Sequence, residues 1–118
     1  MKRIFISGPF SANTKEEMAR NAGVANWYAI RIFKLGADVF LPHTMFFYWE
    51  DKVDYNKILD SCIRWLWCCD AIFMLPKWSS SYGSVREKQM ARLLKLPVLT
   101  SLKQVKKFIK EGRSGKNH

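Results

Sequence analysis

Residues 81–87, Ser81-Tyr82-Gly83-Ser84-Val85-Arg86-Glu87, place hydroxyls and a glycine just ahead of a carboxylate. Glycine lets a backbone approach a ligand closely, and the free N–H groups at a helix start favour a phosphate or carboxylate. Ser79, Ser80, Ser81 and Ser84 add hydroxyl donors, and Lys77 adds a charge. A carboxylate held beside such a cradle is what cleavage of a glycosidic bond requires. The plain alternative is a flexible turn that ends in an N-cap. Glu87 adds weight to the first reading. On a helical wheel it shares a face with Met90, Ala91 and Leu94, and an inward carboxylate is costly unless it is paired or used.

Further residues invite the same question. The loop Ser7-Gly8-Pro9-Phe10 follows a clear strand-like run. Asp70 opens another such run. Its place at the amino end of that strand gives it a minor role on geometry alone, with capping of the preceding turn as the plain alternative. Trp49 is able to stack on a base, with Glu50 or Asp51 bonded to its polar edge, or to plug the core beside a charged turn. His43 is a conceivable proton donor, or a structural residue after Pro42.

The elements that must position these groups alternate. Lys2–Ser7 reads as a strand. From Thr14 the pattern turns helical, with Met18, Ala22, Ala25, Ala29 and Ile32 at steps of four and three. Thr14 and Glu17 form a capping-box signature, and Gly36 is a stop signal. Asp38–Leu41 reads as a second strand, and residues 42–53 as an irregular aromatic stretch. Tyr55, Ile58, Leu59, Cys62 and Leu66 mark a second helix, Ala71–Leu75 a strand buried on both faces, and residues 76–82 a loop. A third helix buries Met90, Ala91 and Leu94. Pro97–Leu99 is a short strand, and Ser101 opens a last helix with Leu102, Val105, Phe108 and Ile109 inward. This order predicts an α/β three-layer, flavodoxin- or Rossmann-like fold with a four- or five-stranded parallel sheet in the order 2-1-3-4. Ligands bind such sheets at the switch point, here between strands 1 and 3, where the two loops meet.

At 118 residues and 48% apolar composition, the chain suits one folded domain. We assign residues 1–111 to that domain and 112–118 to a basic flexible tail. No apolar run approaches the roughly 20 residues of a membrane span, and no signal peptide is evident, so no membrane partner is expected. Three cysteines, two of them adjacent, argue against a disulfide framework and for a reducing, cytoplasmic setting. No spacing resembles a metal site. The net charge is +10, and Lys103, Lys106, Lys107, Lys110, Arg113 and Lys116 against Glu111 put half of it in the last helix and tail. Such a segment is a solvated face, or it attracts nucleic acid, a membrane surface or phosphorylated small molecules.

In order and spacing these motifs resemble the nucleoside 2-deoxyribosyltransferase superfamily, including its small nucleotide N-glycosidases and related phage and bacterial proteins. The matching runs are Ile4-Phe5-Ile6-Ser7-Gly8-Pro9-Phe10, Asp70-Ala71-Ile72-Phe73-Met74-Leu75 and Ser81 to Glu87. The resemblance implies Glu87 as a nucleophile that expels the base, its glycosyl ester then resolved by water or by another base. It implies that Ser81 and Gly83 hold a 5′-phosphate, that Gly8 lies beside the sugar or phosphate, and that Asp70 supports activity. Ser7, Pro9, Phe10, Trp49 and Ser84 complete the expected substrate contacts. No cofactor or metal is implied. A homo-oligomer is, in a bacterial cell or phage-infected host. The chain departs from the family pattern with Phe5 where a tyrosine is common, and with Ser11, Asn13 and Lys15 where nucleotide hydrolases can carry an arginine. The basic C-terminal segment suits a phosphorylated substrate, which favours nucleotide N-glycoside hydrolysis over base exchange. A non-catalytic nucleotide sensor is a second reading, and nucleic-acid binding through residues 103–116 ranks last, since aromatic interleaving is lacking there.

Overall fold

Strand β1 (Arg3–Ser7) is buried along four of its five residues, the signature of a central strand covered on both faces. The computed structural model describes residues 1–49 and 51–115, with residues 112–115 by backbone alone; Glu50 and residues 116–118 lie outside the described residues. β1 pairs in parallel with β2 (Asp38–Phe40) on one side and β3 (Ala71–Met74) on the other, and β4 (Val98–Leu99) continues the sheet beyond β3. The four described strands therefore run in the order 2-1-3-4, as the alternation of elements predicts.

Period-two alternation sorts the core into two layers. Ile4 and Ile6 of β1, with Ala71 and Phe73 of β3, face helices α1 (Lys15–Leu35) and α5 (Leu102–Gly115) through Ala25, Ala29, Ile32, Val105 and Ile109. Phe5, Ile72 and Met74 face the other way, toward Cys62 and Leu66 of α3 (Tyr55–Leu66) and Ala91 of α4 (Tyr82–Leu93). Each fully buried Phe or Ile contributes roughly 1.5–3 kcal/mol relative to exposure. Ser7 has the parity of Phe5, so its side chain must point at the α3–α4 layer. Backbone of α5 continues past residue 111, where the tail is expected to begin.

Local signals explain the boundaries. Thr14 Oγ1 accepts the Glu17 N–H at 3.1 Å, the N-cap half of the expected box. Gly36 ends α1 at φ 109°, a left-handed value that suits glycine, with its N–H on Phe33 O. Two stretches are more regular than their sequence suggests. Pro42–Met45 forms a one-turn helix, α2, because Pro42 sits at its first positions, where a missing N–H costs nothing. Trp78–Ser80 forms a 3₁₀ turn inside the expected loop. No described helix is long and apolar enough to cross a membrane.

Candidate active site

In each β-α unit the strand ends where the next helix starts, so the N-termini of α1, α3 and α4 gather at the carboxyl edge of the sheet. They surround a cleft of about 810 Å³. One wall is the loop Gly8–Phe10, running on to Glu17 and Asn21 of α1. Facing it are Lys77, Ser80 and the first turn of α4, while Tyr55, Leu59 and Cys62 of α3 form the third side.

Glu87 lies in this cleft's lining and is only 6% exposed. The Ser7 hydroxyl donates to its Oε1 at 2.6 Å, a contact buried from solvent. Oε2 has no hydrogen-bond partner among the described residues, and no cation pairs with this carboxyl there. Burial pushes the acid up to about 7, with the Ser7 hydrogen bond pulling in the other direction. Near neutrality the carboxyl is thus able to gain or lose its proton, and only its deprotonated form carries the charge. Neighbouring acids respond to the same environment. Cys62 is pushed up to about 12 by burial and then by the Glu87 charge, so its thiol is inert in the neutral range.

The first loop is held from below. His43 is buried, and its Nε2–H donates to both Gly8 O and Pro9 O at 3.1 Å. Its Nδ1, left as the acceptor, is buried with no partner. Burial, partly offset by the two backbone contacts, lowers this imidazole to about 4. A neutral ring whose N–H is engaged is a strap, not the proton donor that the sequence allows. Phe10 meets its edge with ring centroids 5.7 Å apart. Gly8 has a packing reason as well: a Cβ there would lie 2.5 Å from Leu75 Cβ, at the end of β3.

Of the residues expected in the site, Gly8, Pro9, Phe10, Ser81, Gly83, Ser84 and Glu87 all line the cleft, and Ser7 sits directly behind Glu87. Ser81 acts as the N-cap of α4, its Oγ accepting the Ser84 N–H at 3.3 Å. Lys77 reaches the rim from a left-handed backbone at φ 65°, which costs a non-glycine residue on the order of 1 kcal/mol. Two of the expected residues lie outside this cleft. Asp70 lies at the opposite, amino edge, where its Oδ2 accepts the Arg3 N–H at 2.8 Å and its own N–H bonds Arg3 O at 2.7 Å. Trp49 is 42% exposed and stacks edge-on against Phe46, outside the cleft lining, whereas Phe46 from the same stretch is part of it. Asp51 is exposed and pairs with Lys52 at 3.5 Å. Glu50 lies outside the described residues.

Tyr55 is the site residue that sequence reasoning missed. As the first residue of α3 it reads as one more apolar position, yet that place sets it at the carboxyl edge. The rule that these helices begin beside the ligand could have found it. Among the described residues, no cluster of three or more His, Cys, Asp or Glu side chains could hold a metal ion.

Sheet order and crossover helices define a Rossmann-like α/β domain with a cleft at the switch point that holds a buried acid. More particularly, residues 2–100 match the family described as a domain of unknown function (DUF4406), and the chain belongs to it. A comparison with curated proteins gives no match.

Proposed function

We propose that this chain is an N-glycosidase acting on nucleoside 5′-monophosphates, with Glu87 as nucleophile. The observation that carries the reading is the Glu87 carboxyl itself: buried, steadied by Ser7 at 2.6 Å, and set in a cleft large enough for a nucleotide. In the first step a Glu87 oxygen bonds to the anomeric carbon as the C1′–N bond breaks. The base leaves with that electron pair and takes a proton from water. In the second, water attacks the same carbon and the ester breaks, so that Glu87 recovers its charge while the attacking water's proton neutralises the hydroxide left by the first step. Lys77 and the hydroxyls of Ser80 and Ser81 give the rim by α4 the polarity a phosphate needs. The resemblance of the three motifs to nucleotide N-glycosidases points the same way.

Incubating the protein with each nucleoside and 5′-monophosphate, and separating free base by chromatography, tests the reading. Base release from monophosphates is expected, and Glu87→Gln should lower it by on the order of a thousandfold or more. Full activity in Glu87→Gln would end the assignment. An added acceptor base tests the exchange alternative, since a transferase yields a new nucleoside. One observation favours the second reading, a non-catalytic nucleotide sensor: Asp70 is out of the cleft and His43 is a neutral strap, so neither supplies an acid for the leaving base. Thermal stabilisation by nucleotides without any base release is the result that reading expects.

A further inference from the structure

Gly83 is where a ligand phosphate is expected to approach the backbone, and the protein itself fills that space. A Cβ at Gly83 would lie 2.6 Å from the Tyr55 hydroxyl and 3.5 Å from Leu59 Cδ1. The Tyr55 oxygen lies against the Gly83 backbone, and Ser81 Oγ takes the Ser84 N–H. The Ser84 amide is therefore already used and the Gly83 backbone is covered by the phenol, so a phosphate cannot claim this turn without displacing Tyr55 or Ser81.

The phenol keeps its own proton. Burial, and after it the Glu87 charge, raises the Tyr55 hydroxyl above its ordinary value, so it remains a donor throughout the neutral range. Tyr55 lines the cleft. Glu87 follows Gly83 by one helical turn on the same face of α4, so phenol and carboxyl border one space. A hydroxyl set against the N-terminal end of a helix is polarised toward giving its own proton. Ser84 Oγ independently marks this end as a ligand site: it is buried, without a partner, and belongs to the cleft lining.

We propose that Tyr55 is the specificity-determining donor of this cleft, standing in for the α4 amides and giving its phenol hydrogen bond to an oxygen of a phosphorylated sugar bound against Glu87. The ligand class rests on the N-glycosidase reading; the donor role rests on the contact between Tyr55 and Gly83. The phenol extends the reach of the helix end by one hydroxyl and places the accepting oxygen beside the carboxyl instead of on the backbone. Glycine at 83 is then required by Tyr55 and not by the ligand.

Calorimetric titration of the wild type, Tyr55→Phe and Gly83→Ala with ribose 5-phosphate, ribose, inorganic phosphate and nucleoside 5′-monophosphates tests this. Tyr55→Phe keeps the ring and should keep the melting temperature, while weakening the sugar phosphate about tenfold. Gly83→Ala, which displaces the hydroxyl without deleting it, should weaken it comparably. A loss shared by inorganic phosphate assigns the accepting oxygen to the phosphate; a loss confined to the ribose-bearing probes assigns it to the sugar. Unchanged affinity in Tyr55→Phe overturns the proposal, and so does failure of every probe to bind the wild type. Wild-type kcat/KM for base release in Tyr55→Phe overturns it while leaving Glu87 in place. Weakened binding in Tyr55→Phe, with no base release even by the wild type, sustains Tyr55 and sinks the glycosidase reading.

Discussion

Ser7 and Glu87, eighty positions apart, meet in a 2.6 Å hydrogen bond in which the hydroxyl donates to Oε1. Parallel pairing of β1 with β3 and the packing of α4 on the Phe5 face of the sheet make that meeting unavoidable. The bond stabilises the charged form of an acid that burial otherwise neutralises. Ser7→Ala should therefore move the Glu87 pKa further above about 7. The rising limb of the pH–rate profile shifts to higher pH, and activity at pH 7 falls about tenfold. Carbon-13 NMR of the glutamate carboxyls reads the shift without relying on turnover. An unmoved Glu87 titration in Ser7→Ala would mean that the hydroxyl does not tune this acid.

Glu87 and His43 load the pH dependence of folding in opposite directions. Glu87 titrates at about 7 in the folded chain against 4.5 ordinarily, so the folded state holds the extra proton in between and stability falls as pH rises through that window. His43 titrates at about 4 against 6.5, so the unfolded state holds the extra proton and stability rises with pH there. Where the windows overlap, the slopes cancel and the wild type should be nearly flat. Cys62 and Tyr55, raised by the same surroundings, stay neutral throughout. Glu87→Gln unmasks His43, and its stability should climb by up to about 3 kcal/mol over the acid range. His43→Asn unmasks Glu87, and its stability should decline toward neutrality. Urea denaturation at several pH values measures both. Parallel curves for wild type and Glu87→Gln would contradict the buried, titrating carboxyl.

Two glycines should answer an added methyl with opposite signs. At Gly8 a Cβ meets Leu75 Cβ at 2.5 Å and Cγ at 2.9 Å, atoms fixed near the end of β3. Gly8→Ala must push the loop away from the strand, at a cost of about 1–3 kcal/mol, and it should loosen the His43 contacts with it. Gly23, inside α1, has nothing within 4 Å of its Cβ position. Gly23→Ala should stabilise the chain by about 0.5–1 kcal/mol. Thermal melts of the two variants decide; a neutral Gly8→Ala would show that the first loop is not pinned.

The legible parts of this chain were those set by periodicity. The apolar runs of β1 and β3 and the i, i+3, i+4 spacing in α1 and α3 lead to the 2-1-3-4 sheet, and helical phase alone turns Glu87 inward. What escaped depends on approach between distant segments. No pattern within residues 42–53 tells that Phe46 turns toward the cleft while Trp49 stays outside, because both satisfy the same apolar demand. Nor does any local signal show that the space over Gly83 belongs to Tyr55. That follows only once α3 and α4 lie side by side. The likeness to a family carried Asp70 into the site, whereas strand polarity, readable from the sequence, kept it out.

Asp70 supplies the sharpest test of where the chemistry lies. Its carboxylate closes a reciprocal pair with the Arg3 backbone at the start of β1, whereas Ser7 and Glu87 stand at the other end of that strand. Four residue steps at about 3.3 Å separate the two ends by roughly 13 Å. An exposed charge at that distance, beyond a Debye length at physiological salt, exerts little force on the cleft. Asp70→Ala should therefore cost about 1 kcal/mol or less of stability, since water replaces the lost acceptor, while kcat/KM for base release stays within about twofold. Denaturant melts and the chromatographic assay on one preparation give both quantities. If activity instead falls a hundredfold with stability intact, Asp70 takes part in turnover, and the carboxyl-edge cleft does not hold the whole of the active site.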